Sequence, residues 1–269
     1  MLALAGILGG PSAYGAQKTK PPTLDEILAR LDANLHHYDA AVPSLFCSEH
    51  AVSQVWPGSA QENTVTDSVF RLRRTGVPGH STALEESREI EKVNGKPATS
   101  QKIDGPTLLS GVFEGGLAVI SLSQRACMTY ELEPVKKRRS APYVIRFATA
   151  LTPANAGNCL LQDSSKGRAF IDPVSLEITH LELTTPRHRI APGDAWSPPV
   201  MGKRVLTVDY APVALGAGTF WMPATITMQA IRDANTFHET VWSFDATYSN
   251  YHKLEVTTRI VPGSESPVR

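Results

Sequence analysis

Three long segments in which apolar and polar residues alternate constrain the fold of this chain more than any other feature. They span residues 204–213, 219–232 and 241–260. In the middle segment, the even-numbered residues from Phe220 to Ala230 are apolar, and most odd-numbered ones are threonine or glutamine. A period of two over this length is typical of a β-strand with one apolar face. The chain is therefore predicted to build a sheet whose apolar face must be covered by protein or by a ligand.

The length and charge of the chain limit its class. Its 269 residues suffice for one large all-β domain or two small ones. Basic and acidic residues number 26 each, and this balance argues against nucleic acid or an anionic membrane surface as the main partner. No apolar run reaches the roughly 18 residues that span a bilayer, so no transmembrane segment is predicted.

Residues 1–16 (MLALAGILGGPSAYGA) have the apolar core and small-residue end of a secretory signal peptide. The basic region that normally precedes the apolar core is missing, which we interpret as a true start that lies upstream. An apolar tail without a targeting role is the alternative. A polar leader follows at residues 17–22. The expected product is an exported protein, periplasmic or secreted.

The three cysteines fit an oxidising compartment. Cys47, Cys127 and Cys159 include no CxxC pair, so a structural zinc site is not expected. A Cys127–Cys159 disulfide is predicted, and closing this loop of roughly thirty residues would stabilise the fold by about 3–4 kcal/mol. Cys47 is then a lone thiol, for which a buried apolar position is favoured over a reactive nucleophile.

Two segments are predicted to cover the apolar face of the sheet. Thr23 and Glu26 form a capping box, and leucines and an isoleucine at helical spacing predict an amphipathic helix from Leu24 to about Tyr38. Residues 106–122 carry apolar side chains three to four positions apart, interrupted by glycines, which indicates a short, weak helix flanked by loops.

The rest of the chain has the pattern of strands and tight turns. The Asn94-Gly95 pair predicts a hairpin turn, and Asp172-Pro173 predicts a type I turn. The apolar phase changes between Ile178 and Leu181, which predicts a bulge near Thr179–His180. The further predicted strands are 46–55, 67–74, 84–93, 125–133, 143–149, 167–172 and 176–185. The glutamate and lysine content of residues 84–93 would also suit a helix, and the Asn94-Gly95 turn favours the strand.

No sequence motif indicates catalysis, a metal or a cofactor, and none of the three is predicted. The phosphate loop, GxGxxG, GxSxG and HExxH are all absent. Glu49 and His50 are adjacent on a predicted strand and so face opposite ways. His180 and His188 have no partner that the sequence shows. The acidic run Glu85, Glu86, Glu89 and Glu91 is interpreted as a solvated face.

Residues 167–181 (GRAFIDPVSLEITHL) resemble the G-x-apolar-x-D-P-x-[ST]-x-x-I hairpin of bacterial LolA/LolB/RseB-like half-barrels. Val208-Asp209-Tyr210, with residues 220–224 (FWMPA), is similar to the paired strands that follow in those proteins. Residues 248–254 (YSNYHKL) are similar to their last strand. Among such proteins, the chain is most similar to exported ones that are common in acidobacteria. The resemblance covers roughly residues 23–261.

The predicted fold class is mainly β (α+β). The resemblance implies a strongly curved antiparallel sheet, a half-barrel, with the N-terminal helix and the short middle helix covering its concave face. Residues 23–262 are expected to form this single domain, and residues 263–269 a disordered tail. In characterised members the cavity holds acyl chains of lipoproteins or lipids, or senses misfolded outer-membrane components.

The leading hypothesis is a periplasmic, non-enzymatic binding or carrier protein with an apolar groove for lipid, lipoprotein acyl chains or another hydrophobic ligand. The predicted groove residues are Leu109, Val112, Phe113, Leu206, Val208, Phe220, Met222, Ile226, Met228, Trp242, Phe244 and Tyr248. A module that interacts with envelope proteins or senses stress, with a filled core, is the alternative. An enzyme is less favoured, and would require His180 or His188 to meet a carboxylate and a serine in one pocket.

Overall fold

A computed structural model describes residues 21–56, 62–75, 83–101, 119–134, 141–191, 200–233 and 238–254. One α-helix, α1 (Leu24–Ala41), precedes the strands, and short 3₁₀ turns occur at Leu122–Gln124 and Ala156–Asn158. The strands are β1 (Leu45–Val55), β2 (Glu62–Thr75), β3 (Ala83–Val93), β4 (Lys96–Pro97), β5 (Met128–Leu132), β6 (Tyr143–Thr149), β7 (Lys166–Ile171), β8 (Ile178–Ala191), β9 (Val200–Leu215), β10 (Gly218–Asp233) and β11 (His238–Lys253).

These strands form one open, curved antiparallel sheet in the order β4-β3-β2-β1-β11-β10-β9-β8-β7-β6-β5. Every pair of neighbours is consecutive in sequence except β1 and β11. The sheet therefore consists of two meanders, β1–β4 and β5–β11, that join where the first strand pairs with the last. β4 and β5 form its two edges, so the sheet stays open. The predicted half-barrel class is confirmed.

Bulges interrupt the ladders at several points in the sheet. Phe170 pairs with His180 and Ile171 pairs with Ile178, which leaves Thr179 as the extra residue in β8. Its hydroxyl donates to the carbonyl of Phe170 at 3.1 Å. The predicted bulge is thus confirmed. A second irregularity leaves Ala224 of β10 without a partner on β9. An extra residue on one strand increases the local twist and bend.

Helix α1 begins at the predicted capping box. The Thr23 side chain accepts from the backbone N–H of Glu26, and the Glu26 carboxylate accepts from the backbone N–H of Thr23 at 2.6 Å. The helix ends at Ala41, three residues beyond the predicted end. Its buried side chains, Ile27, Leu28, Leu31 and Tyr38, join the hydrophobic core on the sheet.

Most strand predictions are confirmed, and several strands, among them β2, β8 and β9, are longer than predicted. Residues 255–260 of the predicted last strand lie outside the described residues. β6 has the predicted bounds, and the acidic segment β3 is a strand followed by a turn at Asn94 and Gly95, whose φ values are 50° and 76°. β5 begins only at Met128, because the preceding residues form a 3₁₀ turn that Ser121 caps. Most of the predicted middle helix, with Leu109, Val112 and Phe113, lies outside the described residues.

The cysteine predictions are confirmed. Cys127 and Cys159 form a disulfide with their Cα atoms 5.5 Å apart. Cys47 is free and buried, and burial raises the pKa of its thiol to about 12. Such a thiol is protonated at neutral pH and inert as a nucleophile. Among the described residues, no helix has the length and apolar content that crossing a membrane requires.

Candidate ligand-binding site

One face of the sheet carries the core. Val208, Ile226, Ala246 and Ala51 pair directly across four neighbouring strands, and each is at most 3% exposed. We call this the inner face. Side chains alternate along each strand, so the register assigns the residues between them, such as Asp209, Thr225 and Asp245, to the outer face.

Helix α1 covers one end of the inner face. Asn34 donates to the carbonyl of Leu176 in the turn between β7 and β8 at 3.1 Å, and the Tyr38 ring meets the edge of Phe220 near the start of β10. Arg74, at the end of β2, donates to the carbonyls of Asp39 and Val42 at 2.6 and 2.7 Å. The crevice left beside Phe220 measures only about 30 Å³, so this end is filled.

The predicted groove residues divide into three groups. Six are buried members of the core, namely Val208, Phe220, Met222, Ile226, Phe244 and Tyr248. Leu109, Val112 and Phe113 lie outside the described residues. Leu206, Met228 and Trp242 remain partly exposed. Among the predicted groove residues that the structure describes, only this last group offers a ligand accessible apolar surface, and the other six are core.

Leu206, Met228 and Trp242 form what we call the apolar patch. Leu206 pairs with Met228, and Trp242 pairs with Ala230, one inner-face position further along β10. Met228 is eight residues from Phe220, about 25 Å along an extended strand. Helix α1 contacts β10 near the start of the strand, where the Tyr38 ring meets Phe220.

Sequence reasoning missed a buried ion pair on the inner face. The Arg88 guanidinium donates to both carboxylate oxygens of Glu49 at 2.6 Å, and lies over the Phe70 ring. Burial alone lowers the pKa of Arg88, but hydrogen bonding and the charge of Glu49 outweigh it and raise that pKa. One sequence signal could have indicated that Glu49 is buried: it stands between Cys47 and Ala51, on the apolar face of β1.

His180 has a partner that the sequence did not reveal. Its Nδ1 atom lies 2.6 Å from Asp209 Oδ1, and the Thr225 hydroxyl donates to the other oxygen of Asp209 at 2.6 Å. Although burial raises the pKa of Asp209, these hydrogen bonds and the charge of His180 hold it below its usual value. His50 similarly lies 2.8 Å from Asp67. The side chain of His188 lies outside the described residues.

The His180 cluster lacks the order that activates a nucleophile. In a catalytic triad the histidine stands between the carboxylate and the hydroxyl, so that it can take the hydroxyl proton. Here the carboxylate of Asp209 stands between His180 and Thr225. The cluster also lies on the outer face. These three residues therefore do not form a triad.

A groove of about 590 Å³ with several charged lining residues lies along strands β5 to β8. Its charged lining residues, Glu131, Arg146, Lys166, Arg168 and Glu182, are outer-face residues by register. Arg168 is already paired with Glu182 at 2.8 Å, and Arg146 with Glu133 at 2.7 Å. Charged walls would have to be desolvated to hold an acyl chain. This groove is therefore not the predicted apolar site.

No protein-family model matches the sequence, and no curated protein is similar to it. Solved structures resemble the chain over most of its length at low identity. A LolA superfamily protein from Nitrosomonas europaea is 9% identical with a TM-score of 0.35, covering 88% of this chain and 96% of that one. A DUF1329 family protein from Desulfovibrio piger is 9% identical with a TM-score of 0.38, covering 87% and 94%. A domain described as an outer membrane lipoprotein-sorting protein from Vibrio parahaemolyticus is 12% identical with a TM-score of 0.34, covering 83% and 90%. The first of these structures is named as a LolA superfamily protein, the type whose hairpin pattern residues 167–181 resemble.

Proposed function

We propose that this chain is an exported, non-enzymatic binding protein that takes the acyl chain of a lipid or lipoprotein on the inner face of its sheet. The observation that carries the proposal is the apolar patch, Leu206, Met228 and Trp242, which remains partly exposed, with Met228 some 25 Å along β10 from the α1 contact at Phe220. An acyl chain on this patch would gain about 0.8 kcal/mol for each methylene group it buries. The flexible thioether of Met228 suits a surface that adapts to its ligand.

Two features support export. Residues 1–16 have the apolar and small-residue pattern of a signal peptide. The Cys127–Cys159 disulfide is of a kind that persists in oxidising compartments such as the periplasm.

Uptake of a fluorescent C16 fatty acid tests the proposal. We expect saturable binding by the wild type and at least a tenfold weaker affinity for Met228→Glu, because the new carboxylate must be desolvated beneath the acyl chain. Met228→Ala, which keeps the site apolar, should weaken binding only a few-fold.

Val174→Glu is the matched control, since Val174 is 90% exposed in the turn at the α1-covered end. Circular dichroism verifies the fold of each variant. A folded wild type that takes up no fatty acid, and shows no lipid adduct in native mass spectrometry, would overturn the proposal.

A protein-interaction or stress-sensing module is the second candidate. It is favoured by the burial of six predicted groove residues within the core. Under this alternative the same experiment shows a folded protein without acyl uptake.

A further inference from the structure

The two edges of the sheet differ in how well they are protected from pairing with another chain. β4, at one edge, consists only of Lys96 and Pro97. Next to it on β3, the Gln101 side chain accepts from the backbone N–H of Ile90 at 2.8 Å and donates to its carbonyl at 3.1 Å. Short strands, lysine and proline are common means of preventing an edge from pairing with another chain. This edge is therefore poorly suited to accept a further strand.

The opposite edge, β5, lacks these protections. Its sequence, MTYEL, contains neither lysine nor proline, and its pairing with β6 runs without a register shift. Among the described strands, β6 is its single neighbour. The buried Cys127–Cys159 disulfide holds the residue directly before the strand in place. Because a strand that is already ordered loses less entropy on binding, β5 offers a preformed edge to a further strand.

Backbone groups of alternate β5 residues point away from β6. The carbonyl of Cys127 accepts from the N–H of Ala150 at 2.7 Å, and the N–H of Glu133 donates to the carbonyl of Val144 at 2.9 Å. Residues that exchange hydrogen bonds with an antiparallel neighbour alternate with residues that do not. The odd-numbered residues from 127 to 133 therefore bond to β6. The residues whose N–H and carbonyl groups face the open edge are Met128, Tyr130 and Leu132.

β5 is complementary to a second copy of itself. When two copies pair antiparallel about Tyr130, all the outward-facing residues meet one another, and each such pair exchanges two hydrogen bonds. Tyr130 then lies opposite its own counterpart, and Met128 lies opposite Leu132 of the second copy. These are inner-face residues, and Tyr130 and Leu132 are only partly buried within one copy. The pairing would therefore bury apolar surface in addition to satisfying backbone groups.

The charge of β5 selects this register. Thr129 and Glu131 are both exposed, on the outer face. In pairing about Tyr130, Glu131 stands opposite the uncharged Thr129 of the second copy. Pairing about Glu131 would set two carboxylates directly opposite each other, which destabilises a sheet. Pairing about Thr129 would leave the backbone groups of Leu132 without a partner on the second β5.

We infer that the chain forms a two-fold symmetric dimer in which β5 of each copy pairs antiparallel with β5 of the other about Tyr130. A self-complementary surface on a single chain produces a closed dimer about a two-fold axis. The two eleven-stranded sheets become continuous, with both inner faces on the same side. This inference goes beyond the proposed function and does not depend on acyl binding.

Sedimentation velocity of the purified protein from about 1 to 200 µM tests the inference, because it gives the dimer dissociation constant. The wild type should form a dimer that dissociates on dilution. Thr129→Glu sets a new carboxylate opposite Glu131 of the other copy, twice by symmetry, so the dimer should be weaker by about fivefold or more. Thr129→Lys sets an opposite charge there and should tighten the dimer. Thr129→Glu/Glu131→Lys exchanges the charges and should restore an affinity close to that of the wild type.

Leu132→Pro removes an N–H that faces the open edge and no bond to β6, so it should weaken the dimer of a protein that stays folded by circular dichroism. If this variant fails to fold, the substitutions at the exposed Thr129 decide the outcome. Gln229→Glu is the matched control, because Gln229 is exposed on the central strand β10 and should not affect dimerisation.

Three results would overturn the inference. The first is a wild type that is monomeric at every concentration. The second is a dimer that none of the β5 substitutions weakens, since its interface would lie elsewhere. The third is an equal effect of Thr129→Glu and Thr129→Lys, because the pairing about Tyr130 requires opposite effects of the two charges.

Discussion

Glu49 and Arg88 are charged residues on a face that is otherwise mostly apolar. The Glu49 side chain is 1% exposed and that of Arg88 22% exposed, and two hydrogen bonds of 2.6 Å join them. Desolvation of such a pair offsets much of its mutual attraction, whereas removal of one partner leaves the other charge buried and uncompensated. Arg88 stays charged, since the balance of effects raises its pKa.

Glu49→Gln should lower the free energy of unfolding by about 3 kcal/mol. This is the low end of the range for a broken buried pair, because Arg88 keeps some contact with water. Urea denaturation measures the change. The control is Glu89→Gln, which breaks the more exposed Arg71–Glu89 pair between β2 and β3 and should cost about 0.5 kcal/mol or less. Equal effects of the two substitutions would contradict this expectation, because they would show that Arg88 is not left as a costly buried charge when Glu49 is removed.

Asp172 organises the turn between β7 and β8. One carboxylate oxygen accepts from the backbone N–H groups of Ser175 and Val174 at 2.7 and 2.9 Å, and from the Ser175 hydroxyl at 3.0 Å. The bond from the Ser175 N–H is the main reason that the pKa of Asp172 is lowered, with burial opposing it.

Asp172→Ala should lower the melting temperature at neutral pH, and the difference from the wild type should shrink in acid. A carboxyl whose pKa is lower in the folded state stabilises the fold above its unfolded pKa, near 3.9. That contribution disappears as the pH falls through the lower folded value. Thermal unfolding from pH 7 down to about pH 3 measures the difference. A gap that is constant over this range would contradict the role of the ionised carboxylate.

At the scale of elements, the disulfide ties the start of β5 to the loop before β7, beside one edge of the sheet. Cys127 immediately precedes β5, and Cys159 follows the 3₁₀ turn Ala156–Asn158. The two cysteines are 32 positions apart. An edge strand of five residues has few ladder bonds of its own, so the covalent link is expected to contribute strongly to its stability.

The Cys127→Ala/Cys159→Ala variant should be less stable than the wild type by about 3–4 kcal/mol, because the unfolded chain loses the constraint of a closed loop. Denaturant unfolding with and without dithiothreitol measures this. The reductant should destabilise Cys47→Ala as it does the wild type, since Cys47 is free. It should have no effect on the double variant. Stability that is insensitive to reductant in every variant would contradict this contribution.

Strands and turns could be predicted because their signals are local. The Asn94-Gly95 turn, the bulge at Thr179 and the bounds of β6 all follow from residues within a few positions of one another. Contacts between distant residues could not be predicted in this way. Glu49 and Arg88 are 39 positions apart and His180 and Asp209 29 apart, and only the strand register brings each pair together.

At the scale of the whole molecule, the pairing of β1 with β11 decides the shape. It joins two meanders whose hairpins are each formed by consecutive strands. Gln54 pairs with Ser243 across this junction, and Leu254 donates to the carbonyl of Ser44 at 2.7 Å. Pairing between strands so far apart in sequence has the largest entropy cost of loop closure in this sheet. It also leaves no residue pattern in either strand that would identify its partner.

The sequence by itself determined most strands and turns and the presence of one apolar face, because periodicity and turn residues act locally. The disulfide joins residues 32 positions apart, and it could be predicted because the chain has only three cysteines. The tertiary structure decided which part of that face is core and which part is surface. Val208, Met222 and Ile226 are buried in the core, whereas Met228, some 25 Å from the α1 contact at Phe220, is left partly exposed. Alternation assigns a side chain to a face, but whether that side chain meets a helix or a ligand depends on which distant segment packs against it.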